Sequence, residues 1–395
     1  MPGEGRMRGY SMFLLTYAFA AIMVGSTMPT PMYALYAQKM HFGLLTTTVI
    51  FATYTTGVLF ALLAFGRWSD VIGRRPVLLV GALSAIASSI VFLTADSVGV
   101  LLVARVLSGL SVGLFTGTAT AAVIEAAPAA WRHRAAAVAT VANIGGLGGG
   151  PLIAGILVQY APDPLGLSFF VHIAMAVLAA IAVSVVPETS PRHGRLGPQR
   201  LSVPAQVRTV FAVASLAAFA GFAVTGLFAA VAPSFLANVV GVDNHAVAGL
   251  LASSVYLTSA VAQLLARPMD SQRAIATGCA ILVAGMTILA VSLHFSSLTG
   301  LIVAAVTAGI GQGISFYHGL AAVVEHTPED RRGEVSSSYF VVAYIALSIP
   351  VVGEGLATQA WGLRTAGVTF AVAVAVLATA CLSAILIRGR RGDRV

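Results

Sequence analysis

Two ionisable side chains, Arg105 and Glu354, lie deep inside long apolar stretches of the chain. Water is scarce at such positions, so each needs a partner, a wet cavity or a function. An arginine keeps its proton near neutral pH. Arg105 can therefore hold a water or an anionic group, or tune a neighbouring acid, but cannot carry a proton itself. Glu354 can, which makes it the leading proton carrier, with Arg105 as its modulator. Snorkelling of Arg105 and a wet Glu354 at a helix mouth are the plainer alternatives. His318 and His172 also lie in apolar stretches, and imidazoles titrate near neutrality. Packing is the plainer role for both, and His318 stands next after Glu354 as a proton carrier.

A second polar cluster is Gly66-Arg67-Trp68-Ser69-Asp70-Val71-Ile72-Gly73-Arg74-Arg75, an island between two apolar segments. A membrane protein keeps such a cluster in water, at a helix–helix turn. Gly66 and Gly73 permit close backbone approach and positive φ. Asp70 is suited to accept hydrogen bonds at a helix N-terminus. Glu125 is a further acid, at the end of a later apolar run.

The elements that position these groups are legible in composition. The chain has 395 residues, 58% hydrophobic and 9% charged, against about 25% charged in soluble domains. About twelve apolar segments of roughly 20 residues are each long enough to span a bilayer as a helix. They run over 10–36, 45–66, 76–95, 98–126, 134–160, 166–187, 207–238, 246–266, 273–294, 298–326, 334–360 and 364–388. The fold class is thus an all-α membrane protein of twelve transmembrane helices. The net charge of +8 does not point to nucleic acid. Of the 22 Lys and Arg, only Lys39 and Arg364 fall in outer loops and Arg105 within a span. This is the positive-inside pattern, with both termini cytoplasmic in the cell inner (plasma) membrane.

Two cysteines, Cys279 and Cys381, sit in apolar spans and form no metal or disulfide pattern. The apolar run after the basic N-terminus is too long for a signal-peptide core, and reads as an uncleaved first helix. The glycines at 145–150 lack the Lys-Ser/Thr of a phosphate-binding loop. No cofactor, metal or enzymatic activity is expected.

The stretch 188–206 carries Pro191, Pro198 and Pro204 with Arg192, Arg195 and Arg200, and reads as a cytoplasmic linker. It separates an N-terminal six-helix bundle, 1–187, from a C-terminal one, 207–395. The halves look like a repeat at a shift of 200. Asp70 meets Asp270, Gly109 and Gly113 meet Gly309 and Gly313, and Glu125 and Pro128 meet Glu325 and Pro328.

Within the fifth segment, Gly146 and Gly150 form a small-residue face for close helix contact. Pro151 favours a kink, and Gly155 continues the small face. The first segment ends with Pro29 and Pro31, an irregular outer end that is tolerable where it faces protein or a watery cavity. Segments three, six and twelve are nearly all aliphatic, as lipid-facing helices should be. Polar and aromatic residues gather in the others. Tyr33, Tyr54, Asn143, Phe222, Tyr256, Gln312, Tyr317 and Tyr344 are candidates for a cavity that suits moderately hydrophobic solutes.

The pattern G-x-x-x-D-x-x-G-R-R over 66–75 resembles the signature loop between the second and third helices of the major facilitator superfamily. Arg105-x-x-x-Gly109 is similar to its fourth-helix motif, where the arginine is linked to proton transfer. Gly146-x-x-x-Gly150-Pro151-x-x-Ala154-Gly155 resembles the fifth-helix signature of its drug/proton antiporter branch. The first span departs from the cationic-drug exporters in having no acid.

The resemblance implies two six-helix bundles and proton-coupled efflux of a small, moderately hydrophobic compound by alternating access, as a monomer in the lipid bilayer. Import of a sugar or organic-acid metabolite by a proton symporter or uniporter is the alternative. It also implies a cytoplasmic latch. Asp70 would meet the start of the eleventh span near Ser336, and Arg74 or Arg75 would meet Glu125. The fifth-span glycines would pack against the opposite half.

Overall fold

The computed structural model describes residues 2–193 and 196–392, with side chains over 7–193 and 196–387. Arg195 of the linker lies outside the described residues. Among these, twelve helices are long and apolar enough to cross a membrane. They are Met7–Met40, Leu44–Phe65, Arg74–Leu93, Val98–Ala126, Ala129–Tyr160, Leu167–Val185, Ala205–Ala230, His245–Leu265, Ser271–His294, Leu298–Glu325, Glu329–Trp361 and Leu363–Ile387. They are called the first to twelfth spans here. Helices satisfy the backbone N–H and C=O groups of their interior locally, which is why segments this apolar span lipid as helices.

The chain divides into two compact units. One holds the residues up to His41 and Thr53–Gln199; the other holds Phe42–Ala52 and the chain from Arg200 onward. In the first unit the third span packs on the fourth and sixth, and the first span packs on the fourth, fifth and sixth. In the second unit the ninth span packs on the tenth and twelfth, and the seventh on the tenth, eleventh and twelfth. Each pair in one unit is its counterpart in the other advanced by six helices.

The repeat reaches individual contacts. A methyl group on Gly109 or Gly113 would run into the second-span backbone at Tyr54 and Val58. One on Gly309 or Gly313 would run into the eighth-span backbone at Val255 and Ser259. Helices without a hydrophobic drive to associate rely on such close small-residue approaches.

The first span is broken as its prolines require. An α-helix ends at Thr27, a short 3-10 turn covers Thr30–Met32, and a helix resumes over Tyr33–Met40. The seventh span departs from the continuous helix expected over 207–238. Its α-helix stops at Ala230, and Ala232–Phe235 and a π-helical turn, Leu236–Val240, follow. Pro233 sits at the start of the new helix, where its missing N–H costs least. A second π-helical turn, Val141–Gly145, interrupts the fifth span, and the α-helix beyond it, Gly146–Tyr160, runs through Pro151. The irregularity of that span falls before the proline rather than at it.

Candidate functional site

Arg105 is 1% exposed and so does not snorkel. The break in the first span explains what holds it. The α-helix ends at Thr27, and a helix leaves its last carbonyls without intrahelical donors. Arg105 Nη1 donates to one of these, the Ser26 carbonyl oxygen, at 2.8 Å. Its Nη2 donates to the Tyr33 hydroxyl just beyond the break. The guanidinium carbon lies 5.3 Å from the Tyr33 ring centroid and 5.6 Å from that of Tyr54. Two aromatic faces and a helix C-terminus all favour a cation here. The structure thus brings Tyr33, Tyr54 and Arg105 together from three spans.

Glu354, in the eleventh span, is 3% exposed. Its Oε1 has no hydrogen-bond partner among the described residues, and the same holds for Thr358 Oγ1 one turn later. Glu354 is therefore buried rather than exposed. His318 is also buried, and its Nε2 lies 2.9 Å from the Ala266 carbonyl oxygen, a packed and partnered arrangement. His172 is held through Nδ1, 2.6 Å from Ser89 Oγ.

The remaining cavity candidates each lie within one unit. Gln312 Oε1 accepts from Ser259 Oγ at 2.6 Å, and Gln263 Nε2 donates to that hydroxyl at 3.2 Å, forming a buried uncharged relay. Phe222 packs edge-on to Phe316, at 4.8 Å between centroids, and Phe316 stacks on Tyr339 at 5.5 Å. Tyr317 lies under Arg267, 6.0 Å from its guanidinium. Tyr256 is buried, Tyr344 is half-buried, and Asn143 sits half-buried in the middle of the fifth-span π turn.

The loop at 66–75 is built around an acid that sequence reasoning placed in the linker. Glu188 Oε1 accepts from the Arg74 backbone N–H at 2.8 Å, and Oε2 from that of Arg75 at 3.2 Å. Oε1 also accepts from the N–H groups of Thr189 and Ser190, both at 3.0 Å. Burial alone would push the Glu188 carboxyl up, but these four backbone donors outweigh it and hold it below the ordinary carboxylate range. Glu188, not Asp70, caps the third span, whose orphan N–H groups attract an anion. The signal that could have found it is an acid directly after Pro187, where the sixth span ends beside the start of the third.

Asp70 instead accepts from Arg74 Nη1 at 2.5 Å and remains exposed. Arg74 also bonds Glu125, 3.0 Å from Nη2 to Oε1. Arg75 donates elsewhere, to the Ser184 carbonyl. Gly73 has φ 111°, and a methyl group there would lie 2.8 Å from the Glu188 carboxyl carbon, so both its conformation and its surroundings exclude a side chain. Gly66 lies against the Leu62 carbonyl and Gln199. The linker is stitched on as well. The Thr189 hydroxyl donates to Glu125 Oε2 at 2.7 Å, and the His193 N–H donates to the Asp70 carbonyl at 2.9 Å.

Gly146 and Gly150 of the fifth span face the first span of their own unit. A methyl group on Gly146 would overlap Met23 and Ala20, and one on Gly150 would overlap Thr27 and the Val24 carbonyl. Thr27 Oγ1 donates to the Leu147 carbonyl at 2.7 Å across the same seam. Pro151 and Gly155 are also buried.

The model of the Major Facilitator Superfamily matches residues 14–350. The chain belongs to the major facilitator superfamily. Family membership together with the twelve apolar helices makes this superfamily member a multi-pass membrane protein. Over 141 residues it is 29% identical to the "Uncharacterized MFS-type transporter YhjO" of Bacillus subtilis (strain 168). That match spans 36% of this chain and 35% of the relative. Among solved structures, it is similar to a bacterial homolog to the human lysosomal transporter Spinster, crystallised in an inward-facing and unoccupied conformation. The TM-score is 0.75, the coverage 96% of this chain and 98% of that one, and the identity 16%. At that identity the likeness is one of fold.

Proposed function

We propose that this chain is a secondary transporter that works by alternating access and exports a small, moderately hydrophobic compound in exchange for protons. The observation that carries the reading is Glu354. It is a buried carboxyl in a span whose Oε1 has no hydrogen-bond partner among the described residues. An isolated carboxylate in a low-dielectric interior is costly. Such a group is sensitive to whatever binds beside it, which is what coupling a proton to a substrate requires. In the cycle, Glu354 binds one proton on the outer side and releases it inside as substrate leaves outward.

Arg105 supports the reading differently. It ties the broken first span to the fourth through Ser26 and Tyr33 and keeps a fixed positive charge among tyrosines. Its role is to set the field and shape of the site. The loop at 66–75 serves as the latch on the cytoplasmic side, with Arg74 joining Asp70 to Glu125. A contact of this kind shifts a conformational equilibrium only if it differs between the two states.

The test is substrate-driven proton movement in proteoliposomes carrying Glu354→Gln. Retained substrate binding with loss of proton movement is the expected outcome. Unchanged proton coupling would remove Glu354 from the role. Uptake in the direction of an inward proton gradient would replace export with symport.

A further inference from the structure

A groove of about 540 Å³ runs along the first unit between the first and fifth spans. Its lining includes Ala20, Val24, Ala137, Val138, Val141 and Ala142, and reaches Gly145 and Gly146. Thr16 also faces it, but its hydroxyl is spent on the Met12 carbonyl at 2.7 Å. The mouth is of different chemistry. It is formed by Trp131 and Arg134, with the Arg134 guanidinium 5.9 Å from the Trp131 ring. Arg132 and His133 are exposed in the same turn. Arg134 has no ion-pair partner among the described residues.

We propose that this groove holds one acyl chain of an anionic phospholipid, with its phosphate on Arg134. Three features favour that occupant. The first is length. From Arg134 to Gly146 the fifth span rises about 18 Å at 1.5 Å per residue, close to the roughly 15 Å depth of one hydrocarbon leaflet. A compact solute needs no such channel. The second is the wall, which offers no free polar group to orient a solute but suits a hydrocarbon chain. The third is charge. An unpaired guanidinium beside a tryptophan is the arrangement that meets a phosphate at a membrane interface. The π-helical turn Val141–Gly145 and the glycines at 145 and 146 leave the space into which the chain extends.

Binding at this seam gives the lipid a structural role. The groove flanks the contact in which Gly146 lies against Met23 and Ala20. An acyl chain there packs against the first span just below its break, so lipid charge would bear on how firmly the first and fifth spans hold together.

The experiment uses the purified full chain in mixed micelles, with bound lipids counted by native mass spectrometry. Phosphatidylglycerol is compared with phosphatidylcholine of the same acyl chains. The wild type is expected to retain phosphatidylglycerol preferentially. Arg134→Gln is expected to lower that preference about fivefold, the equivalent of the ~1 kcal/mol contributed by one basic residue near an anionic surface. Ala137→Phe, which fills the groove, is expected to reduce retention of both lipids while thermal unfolding confirms a folded protein. Arg208→Gln, an equally exposed arginine in the second unit, is the control and should leave the preference unchanged. Equal retention of the two lipids by the wild type would overturn the proposal. So would an equal effect of Arg208→Gln, or full retention by Ala137→Phe. Displacement of phosphatidylglycerol by inorganic phosphate would reassign the mouth to a soluble anion and also overturn it.

Discussion

Arg105 satisfies a carbonyl that a broken helix leaves open, and that exchange fixes its expected behaviour. Arg105→Met keeps most of the side-chain volume but leaves the Ser26 carbonyl buried without this donor. Losing one partner of a buried hydrogen bond costs about 1–3 kcal/mol. A thermal-unfolding midpoint several degrees lower is expected, with partial recovery in Arg105→Lys, which keeps one donor and the charge. A midpoint unchanged in Arg105→Met would show that the first-span break holds without it. Glu188 makes a prediction in pH. Its carboxyl is held below its unfolded value by four backbone donors. The stabilisation is therefore complete above the ordinary carboxylate range and is lost as pH falls through the lower folded value. Cleavage after Arg192 by an acid-tolerant protease should accelerate as pH drops below about 4. Glu188→Gln should be cleaved quickly at all pH values. A wild-type rate flat down to pH 2 would contradict the capping role.

At the scale of elements, the fifth span is fitted to the first by the absence of side chains. Gly146 and Gly150 let the two backbones approach, and Thr27 bonds across the seam. Gly150→Leu would have to displace Val24 and Thr27, and overpacking of this kind costs about 1–3 kcal/mol. The variant should reach the membrane with a lowered unfolding midpoint and reduced transport. Full activity with an unchanged midpoint would mean the seam is loose. The two copies of the loop acid have diverged at this scale too. Asp270 caps the ninth span by accepting from the Arg273 N–H at 3.1 Å, the role its counterpart Asp70 leaves to Glu188. Freed from capping, Asp70 is available to Arg74.

For the whole molecule the testable quantity is topology. The arginine distribution predicts that both termini and the loop at 66–75 are cytoplasmic. The native cysteines, Cys279 and Cys381, are fully buried and give little background to labelling. An impermeant maleimide applied from outside should react with a cysteine placed at Asp163 or Asp243 and not with one at Arg200. Labelling at Arg200 from outside would invert the model.

The amino-acid sequence by itself determined the number of spans, because hydrocarbon leaves a backbone no option but to bond within its own helix. It also determined the break at Pro29 and Pro31, since proline acts through its own missing N–H, and the signature residues around Asp70 and Arg74. These are local constraints, written where they act. What only the tertiary structure decided is which distant group meets which. Arg105 reaches Ser26 across 79 residues, and Glu188 reaches the Arg74 N–H across 114. Gly146 and Gly150 turn to the first span. The seventh-span break at Ala230 and the π turn at Val141–Gly145 were likewise not legible. Such pairings depend on how each helix is rotated about its axis and slid along its neighbours. In a chain with 58% hydrophobic residues and 40 glycines, nearly every helix face is apolar or small. The polar–apolar contrast that marks the buried face of a soluble helix is missing, and close packing of particular side chains sets rotation and register instead.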